Sequence, residues 1–375
     1  MNFKMKGIWK YSHLLPPFDE DAKLTLGEGN TPLVKSKQLG KLLGLDNLYF
    51  KLEITNPSGS YKDRFAVCAI ADLIGKNSRA CIATSSGNAG SALAAYSAAA
   101  GIKCYLAIVD GAPSGKLQQM QVYGAETLMI KDFGIDANVT NEVMNGLDVI
   151  AKSLNIPVHI SAYHYSPLAM AGVQTIAYEI AEEIPEFDGH IFPPVGGGGL
   201  TFAIIKGFNK WKEVNPGFKI PKVHCVQPEG NDTISGPLRN GLAKAQNVSK
   251  SLTSISGLQV PNVIDGNEVV EACRRTGGTG YTVADPVVYE CQENLAKMEG
   301  IYCEPAGAVA LAGVVKAVEN REIDKNDHVV CLVTGHGFKD PVSAAKIAKK
   351  SGDSYFNSPN ETFEYIKSQI RKNNN

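Results

Sequence analysis

Short apolar runs rich in β-branched residues recur along the chain, and most are followed by longer stretches with apolar residues three and four positions apart. "NLYFKLEI" (47–54), "ACIATSS" (80–86), "CYLAIVD" (104–110), "TLMI" (127–130), "VHIS" (158–161), "HIFPPV" (190–195), "KVHCVQP" (222–228) and "HVVCLVT" (328–334) read as strands. Helical periodicity marks "GKLQQMQVYG" (115–124), "NEVMNGLDVIAKSL" (141–154) and "AGVQTIAYEIAEEI" (171–184). Apolar strands alternating with amphipathic helices predict an α/β fold, with parallel or mixed sheets flanked by helices. Ligands of such sheets bind at the carboxyl ends of the strands, where loops enter the next helix. Polar stretches at 240–251 and 351–363 predict surface loops, the second before a short final helix, and "RKNNN" (371–375) predicts a frayed tail.

Composition narrows the picture. A chain of 375 residues exceeds one typical core, so it holds two domains or one large α/β unit. With 37 Lys and Arg against 38 Asp and Glu, no basic field points to nucleic acid. A small molecule is the expected partner. The eight cysteines lie scattered in apolar runs, with no CxxC pair and no histidine at metal spacing, so we read them as reduced core thiols and expect no metal site. "MNFKMKGIWKYSHLL" lacks the apolar core of a signal peptide, and "SALAAYSAAAGI" (91–102) is too short to span a bilayer. The expectation is a cytoplasmic protein that does not enter the membrane.

Three strand-to-helix junctions and the end of the last strand carry the candidate chemistry. In "NPSGSYKDRFA" (56–66), Lys62 opens a helix after a Ser/Gly-rich turn. A lysine in a turn is ordinarily solvated, but backbone N–H groups and Arg64 beside it would disfavour the ammonium form and leave a nucleophilic amine. "ATSSGNAGSALAAY" (83–96) offers Ser86 or Asn88 as a helix N-cap, or Asn88 as an amide donor to a ligand oxygen. In "FPPVGGGGLTFAIIKGF" (192–208), Gly196, Gly197, Gly198 and Gly199 lead into a helix. Four consecutive glycines lose much chain entropy on folding, which favours a backbone phosphate cradle over a simple tight turn. The segment is not a P-loop, because no Lys-Ser/Thr follows, and "GEGNTP" does not complete GxGxxG. "CLVTGHGFKDP" puts Thr334 at a carboxyl end, either as a helix cap or as a hydroxyl facing a ligand; His336 is given no catalytic role. A lysine for an aldehyde, an amide for a ring oxygen, glycines for a phosphate and a hydroxyl for a ring nitrogen together match pyridoxal phosphate.

On these residues the chain resembles the fold-type-II, tryptophan-synthase-like pyridoxal phosphate enzymes, and within them the threonine synthases most closely. The likeness runs from about residue 24 to 345, through "LGEGNTPLV" (26–34), "NPSGSYKDR" (56–64), "SSGNAG" (85–90), "CEPAGAVALAG" (303–313) and "TGHGFKDP" (334–341). The resemblance implies that Lys62 holds the cofactor as a Schiff base and later moves protons. It also implies that Asn88 bonds the ring's phenolic oxygen, that Gly196 to Gly199 surround its phosphate, and that Thr334 faces its pyridine nitrogen. Ser85, Ser86 and Gly87 would grip the substrate carboxylate. Two departures stand out. Ala169 takes the place where the family pattern has an arginine that helps hold the substrate's phosphate, and "PVGGGGL" is the version of the phosphate loop common in serine/threonine dehydratases.

The resemblance further implies a lyase of threonine synthase type that turns O-phosphohomoserine and water into threonine and phosphate. The alternatives are a serine/threonine dehydratase or β-replacement enzyme, and a non-catalytic binder of the cofactor. It also implies two domains with the cofactor between them: a large one of residues 1–74 and 166–375, a small mobile one of residues 75–165, and a homodimer.

Overall fold

The strand nearest the carboxyl end of the chain occupies the middle of the main sheet. The computed structural model describes residues 7–110, 114–352 and 354–373. Its strands are β1 (Leu33–Lys35), β2 (Asn47–Leu52), β3 (Ala80–Thr84), β4 (Lys103–Ile108), β5 (Glu126–Met129), β6 (Val158–His159), β7 (Gly189–Phe192), β8 (Lys222–Val223), β9 (Cys225–Pro228), β10 (Gly280–Val283) and β11 (His328–Val333). A five-stranded sheet runs β1-β2-β11-β7-β8, parallel except for the antiparallel edge strand β1. A parallel four-stranded sheet runs β5-β4-β3-β6, and β9 pairs with β10 as a parallel two-stranded ribbon. Helices flank the sheets, as the alternation predicts. Five of the six β11 residues are buried, which is why "HVVCLV" is apolar throughout rather than alternating.

The structure corrects the predicted elements in detail. The run 222–228 is two strands, because the backbone N–H of His224 donates to Ile191 O at 2.9 Å and that of Cys225 to Thr279 O at 3.0 Å, so the chain changes sheets there. β1 and β10 are additional strands of three and four residues. The final helix, Pro359–Asn373, is fifteen residues long and includes 371–373 of the expected frayed tail, while 374–375 lie outside the described residues. All eight cysteines are free and buried.

A buried ion cluster fixes the helix Lys62–Gly75 against its neighbours. Arg64, fully buried, donates to Glu53 Oε1 at 2.8 Å and to Glu179 Oε1 at 2.6 Å. Lys51 pairs with Glu179 at 3.0 Å and with Glu183 at 2.9 Å. Burial alone would raise the Glu179 carboxyl, but Arg64 and Lys51 hold it down at about 2. Glu179 also accepts the backbone N–H groups of Asn30 and Thr31, tying the "GEGNTP" turn to the same cluster. Such pairs are stabilising only while complete, because each buried charge relies on its partner.

Candidate active site

Backbone pairing at the carboxyl ends of β2 and β11 sets the position of Lys62. The His336 N–H donates to Gly59 O at 2.9 Å, the Tyr61 N–H donates to Thr334 O at 3.1 Å, and Ser60 forms a bridge with Gly335. Gly59 has φ +86°, in the left-handed region that favours glycine, and this turns the chain from the 3₁₀ segment Glu53–Thr55 toward the helix. Asp63 closes the turn by accepting the Ser58 N–H and Oγ–H at 3.1 and 3.0 Å. Lys62 then begins the helix, and its Nζ donates to Ser161 Oγ at 2.7 Å, just beyond β6. Arg64 does not stand free beside Lys62 as expected, because its guanidinium is taken up by Glu53 and Glu179.

The loop after β3 supplies the second set of groups. Ser85 Oγ accepts the N–H groups of Gly87 and Gly90 at 3.3 and 3.0 Å, so the capping hydroxyl of the helix Asn88–Ala100 is Ser85, not Ser86 or Asn88. Asn88 is thereby free for another role. Its Nδ2 donates to Glu304 Oε1 at 2.5 Å, while its Oδ1 is buried with no partner among the described residues. Leaving such an oxygen unpaired is costly, and a ligand hydrogen-bond donor aimed at it would relieve the cost.

The glycine run lies beyond β7. Gly198, at φ +99°, is the N-cap of the sixteen-residue helix Gly199–Val214, and a Cβ there would meet Val269 Cγ2 at 2.9 Å. The Gly197 carbonyl accepts the Asp265 N–H at 3.1 Å, which pins the loop. Bare backbone N–H groups at the start of a long helix suit a phosphate.

One cavity of about 600 Å³ receives all of these groups. Lys62, Ser85, Ser86, Gly87, Asn88, Gly196, Gly197, Gly198, Gly199 and Thr334, the residues expected to bind cofactor or substrate, line it. A larger groove of about 1080 Å³, lined by Leu14, Phe202, Lys206 and Arg275 among others, contains none of them. These groups fit pyridoxal phosphate, with one change from the expectation: an amine, a glycine cradle at a helix N-terminus and a hydroxyl share one space, while Asn88 gives its amide N–H to Glu304 and turns to the cavity an acceptor oxygen, which a phenolic O–H would satisfy. Ala169, in contrast, is 3% exposed in the core and does not line the cavity, so an arginine's absence there does not by itself strip the wall of a cation. His336 lies outside the lining, accepts the Phe338 N–H and packs edge-on against Tyr302.

Sequence reasoning missed two groups in this wall. Ser161 ends the predicted strand "VHIS", so its place at a carboxyl end was a usable signal. Glu304 stood inside the quoted motif "CEPAGAVALAG" with no role attached, and only the fold brings it to Asn88.

Comparison with known proteins gives the chain its family. Residues 24–335 match the family model described as "Pyridoxal-phosphate dependent enzyme". The chain is 32% identical to the threonine synthase of Methanocaldococcus jannaschii over 348 residues, 92% of this chain and 83% of that one. It is 34% identical to the threonine synthase of Halalkalibacterium halodurans over 339 residues, 90% of each chain. The processed form of threonine deaminase isoform 2 from Solanum lycopersicum superposes with a TM-score of 0.70 at 22% identity, covering 85% of this chain and 82% of that one. Maize serine racemase does so with a TM-score of 0.70 at 21% identity, covering 86% and 92%. These two likenesses concern the fold.

Proposed function

The chain belongs to the pyridoxal-phosphate dependent enzyme family, and from that premise we propose that it is a lyase of threonine synthase type, converting O-phosphohomoserine and water to threonine and phosphate. The observation that carries this reading is the convergence of Lys62, Asn88, the Gly196–Gly199 run and Thr334 on one cavity, in a chain with threonine synthases among its relatives. Pyridoxal phosphate, when bound, supplies an aldehyde that condenses with amines and a conjugated ring that takes up electron density from Cα.

The chain's own groups do the rest. The glycine N–H groups would hold the cofactor's phosphate, the Asn88 side chain would meet its phenolic oxygen, and Thr334 would offer a neutral hydroxyl to its ring nitrogen. Ser85, Ser86 and Gly87 hold the substrate carboxylate at the start of the Asn88–Ala100 helix. Lys62 Nζ would hold the cofactor's aldehyde end in the resting enzyme and, as a free amine, would take the Cα proton, with Ser161 Oγ, 2.7 Å away, orienting it. A proton would then leave Cβ as phosphate leaves Cγ, Cγ would be reprotonated to a methyl group, and water would add its hydroxyl at Cβ as Cα regains its proton. Residues 75–165, which contain β3 to β6, form a smaller unit that closes over substrate, residues 1–74 and 166–375 form the larger one, and the enzyme works as a homodimer in the cytoplasm.

A serine/threonine dehydratase is the second reading. It is favoured by the "PVGGGGL" loop and by a lining whose one cation among the described residues is Lys62. Incubating the cofactor-loaded protein with O-phosphohomoserine, threonine and serine separates the two. Phosphate and threonine formed from the first substrate support the leading reading; keto acid from threonine or serine with no phosphate release replaces it. Borohydride reduction and peptide mapping should put the pyridoxyl label on Lys62.

A further inference from the structure

A carboxylate in the cavity wall holds the Asn88 amide in place. Glu304, which lines the cavity and is 2% exposed, precedes the helix Pro305–Glu319, and its N–H donates to Gly335 O at 2.9 Å. Its Oε1 accepts from Asn88 Nδ2 at 2.5 Å. Its Oε2 lies 3.2 Å from Nζ of Lys116, which is 3% exposed on the helix Ser114–Val122. Gly335 leaves room for the pair, since a Cβ there would run into Glu304 Oε1 and stand 3.1 Å from Asn88 Nδ2. The position directly after Thr334 thus carries no side chain, and the carboxylate and the amide share the space.

The carboxylate decides which way the amide faces. Paired with an ammonium group, it accepts hydrogen bonds and donates none, so the amide presents Nδ2 to it and turns Oδ1 away. That oxygen is buried with no partner among the described residues. Only a donor satisfies it, so a ligand oxygen that meets it has to bring its own proton.

We propose that Glu304 is a positioning residue that sets the polarity of the Asn88 amide and thereby keeps the cofactor's phenol protonated in the resting enzyme. This rests on Lys62 and Asn88 meeting the cofactor as proposed above, and it is independent of which amino acid is the substrate. In a Schiff base of pyridoxal phosphate one proton is shared between the phenolic oxygen and the nitrogen, and Asn88 Oδ1 holds it on the oxygen. Lys62 Nζ therefore carries no proton when substrate arrives. An amino acid enters in its ammonium form, which cannot attack, and Lys62 Nζ is the base that receives its proton. One N–H bond breaks on the substrate and one forms on Nζ, with no electron transferred.

The test is the absorbance spectrum of the cofactor-loaded protein without substrate. With its proton on oxygen the Schiff base absorbs in the near ultraviolet; with the proton on nitrogen it absorbs in the visible and is yellow. Wild type should show mainly the near-ultraviolet band at neutral pH. In Glu304→Gln the one oxygen left on the side chain goes to the Lys116 ammonium, the stronger contact, and the new amide N–H faces Asn88. The Asn88 amide then turns over and offers its N–H to the cofactor. The ratio of near-ultraviolet to visible absorbance should fall about tenfold, as the loss of one hydrogen bond implies. Glu304→Asp, which keeps a group that only accepts, should retain most of the near-ultraviolet band.

A Glu304 that merely supports the fold would weaken cofactor retention in both variants and leave the band ratio alone. A ratio unchanged in Glu304→Gln overturns the proposal, and so does a wild type that is mainly yellow, an outcome that needs no variant to fold. Borohydride reduction and peptide mapping of the same samples tell the two levels apart. Label on Lys62 with an unchanged ratio removes the role of Glu304 alone; label elsewhere removes the placement of the cofactor and this inference with it.

Discussion

His159 ends β6 with both ring nitrogens buried and unpartnered among the described residues, and burial pushes its pKa down to about 4. The folded protein therefore holds this ring neutral, whereas an unfolded chain protonates it below about 6.5. Between those values the unfolded state binds more protons, so the group's effect on stability is absent above pH 6.5 and grows unfavourable as the pH falls toward 4. Several carboxyls pushed up by burial, Asp63 and Glu28 among them, act in the opposite direction, so the comparison that isolates the imidazole is with a variant. His159→Leu should match wild type within about 1 kcal/mol at pH 8. Relative to wild type it should gain about 3 kcal/mol at pH 4, from roughly 1.36 kcal/mol per pH unit. Urea unfolding across that range checks it; a difference that does not vary with pH would mean that the ring is not held neutral. Two further buried histidines are held by partners instead: the Thr279 N–H donates to His224 Nδ1, so the His224 proton sits on Nε2 and is donated to His190 Nδ1 at 2.9 Å.

At the scale of elements, the ion cluster on Arg64 decides where the Lys62–Gly75 helix lies. Glu179→Gln removes the carboxylate shared by Arg64 and Lys51 and should cost about 3–5 kcal/mol in denaturant unfolding, with the loss spread over the "GEGNTP" turn as well. A cost below about 1 kcal/mol would show the cluster to be dispensable. Nothing in the sequence pattern announced this cluster, since Glu53, Arg64 and Glu179 are 11 and 115 positions apart and meet only when the elements pack. The cavity lining was more legible, because Lys62, Asn88, the glycines and Thr334 all sit where a strand hands over to a helix, and that grammar is local. Short strands escaped for the opposite reason. β1 and β10 carry no apolar run of their own, "LVK" and "GYTV" being broken by polar residues, and they are defined by their pairing with β2 and β9. Lys116 left no local trace either, as a lysine in an amphipathic helix reads as solvated until its burial is known.

For the whole molecule, four of the side-chain contacts that join residues 75–165 to the rest of the chain lie at or beside the cavity: Lys62 to Ser161, Asn88 to Glu304, Lys116 to Ser256 and Gln119 to Ser58. If residues 75–165 close as a unit over substrate, ligand should tighten this seam without altering the central strands. Amide hydrogen exchange over residues 88–110 and 114–122 should then slow severalfold when an unreactive substrate analogue binds, while β7 and β11 keep their rates. Equal protection everywhere, or none, would leave the two units fixed relative to each other. The position of β11 between β2 and β7 has a bearing on biogenesis as well. During translation the first partner of that middle strand emerges roughly 280 residues before it does, and the turn bearing Lys62 has no register until the segment 334–336 arrives to pair with it. The nascent polypeptide must therefore carry two unsatisfied strand edges almost to the end of synthesis, a window in which ribosome-associated chaperones would have their main task and in which a prematurely stopped chain would be both inactive and prone to clump.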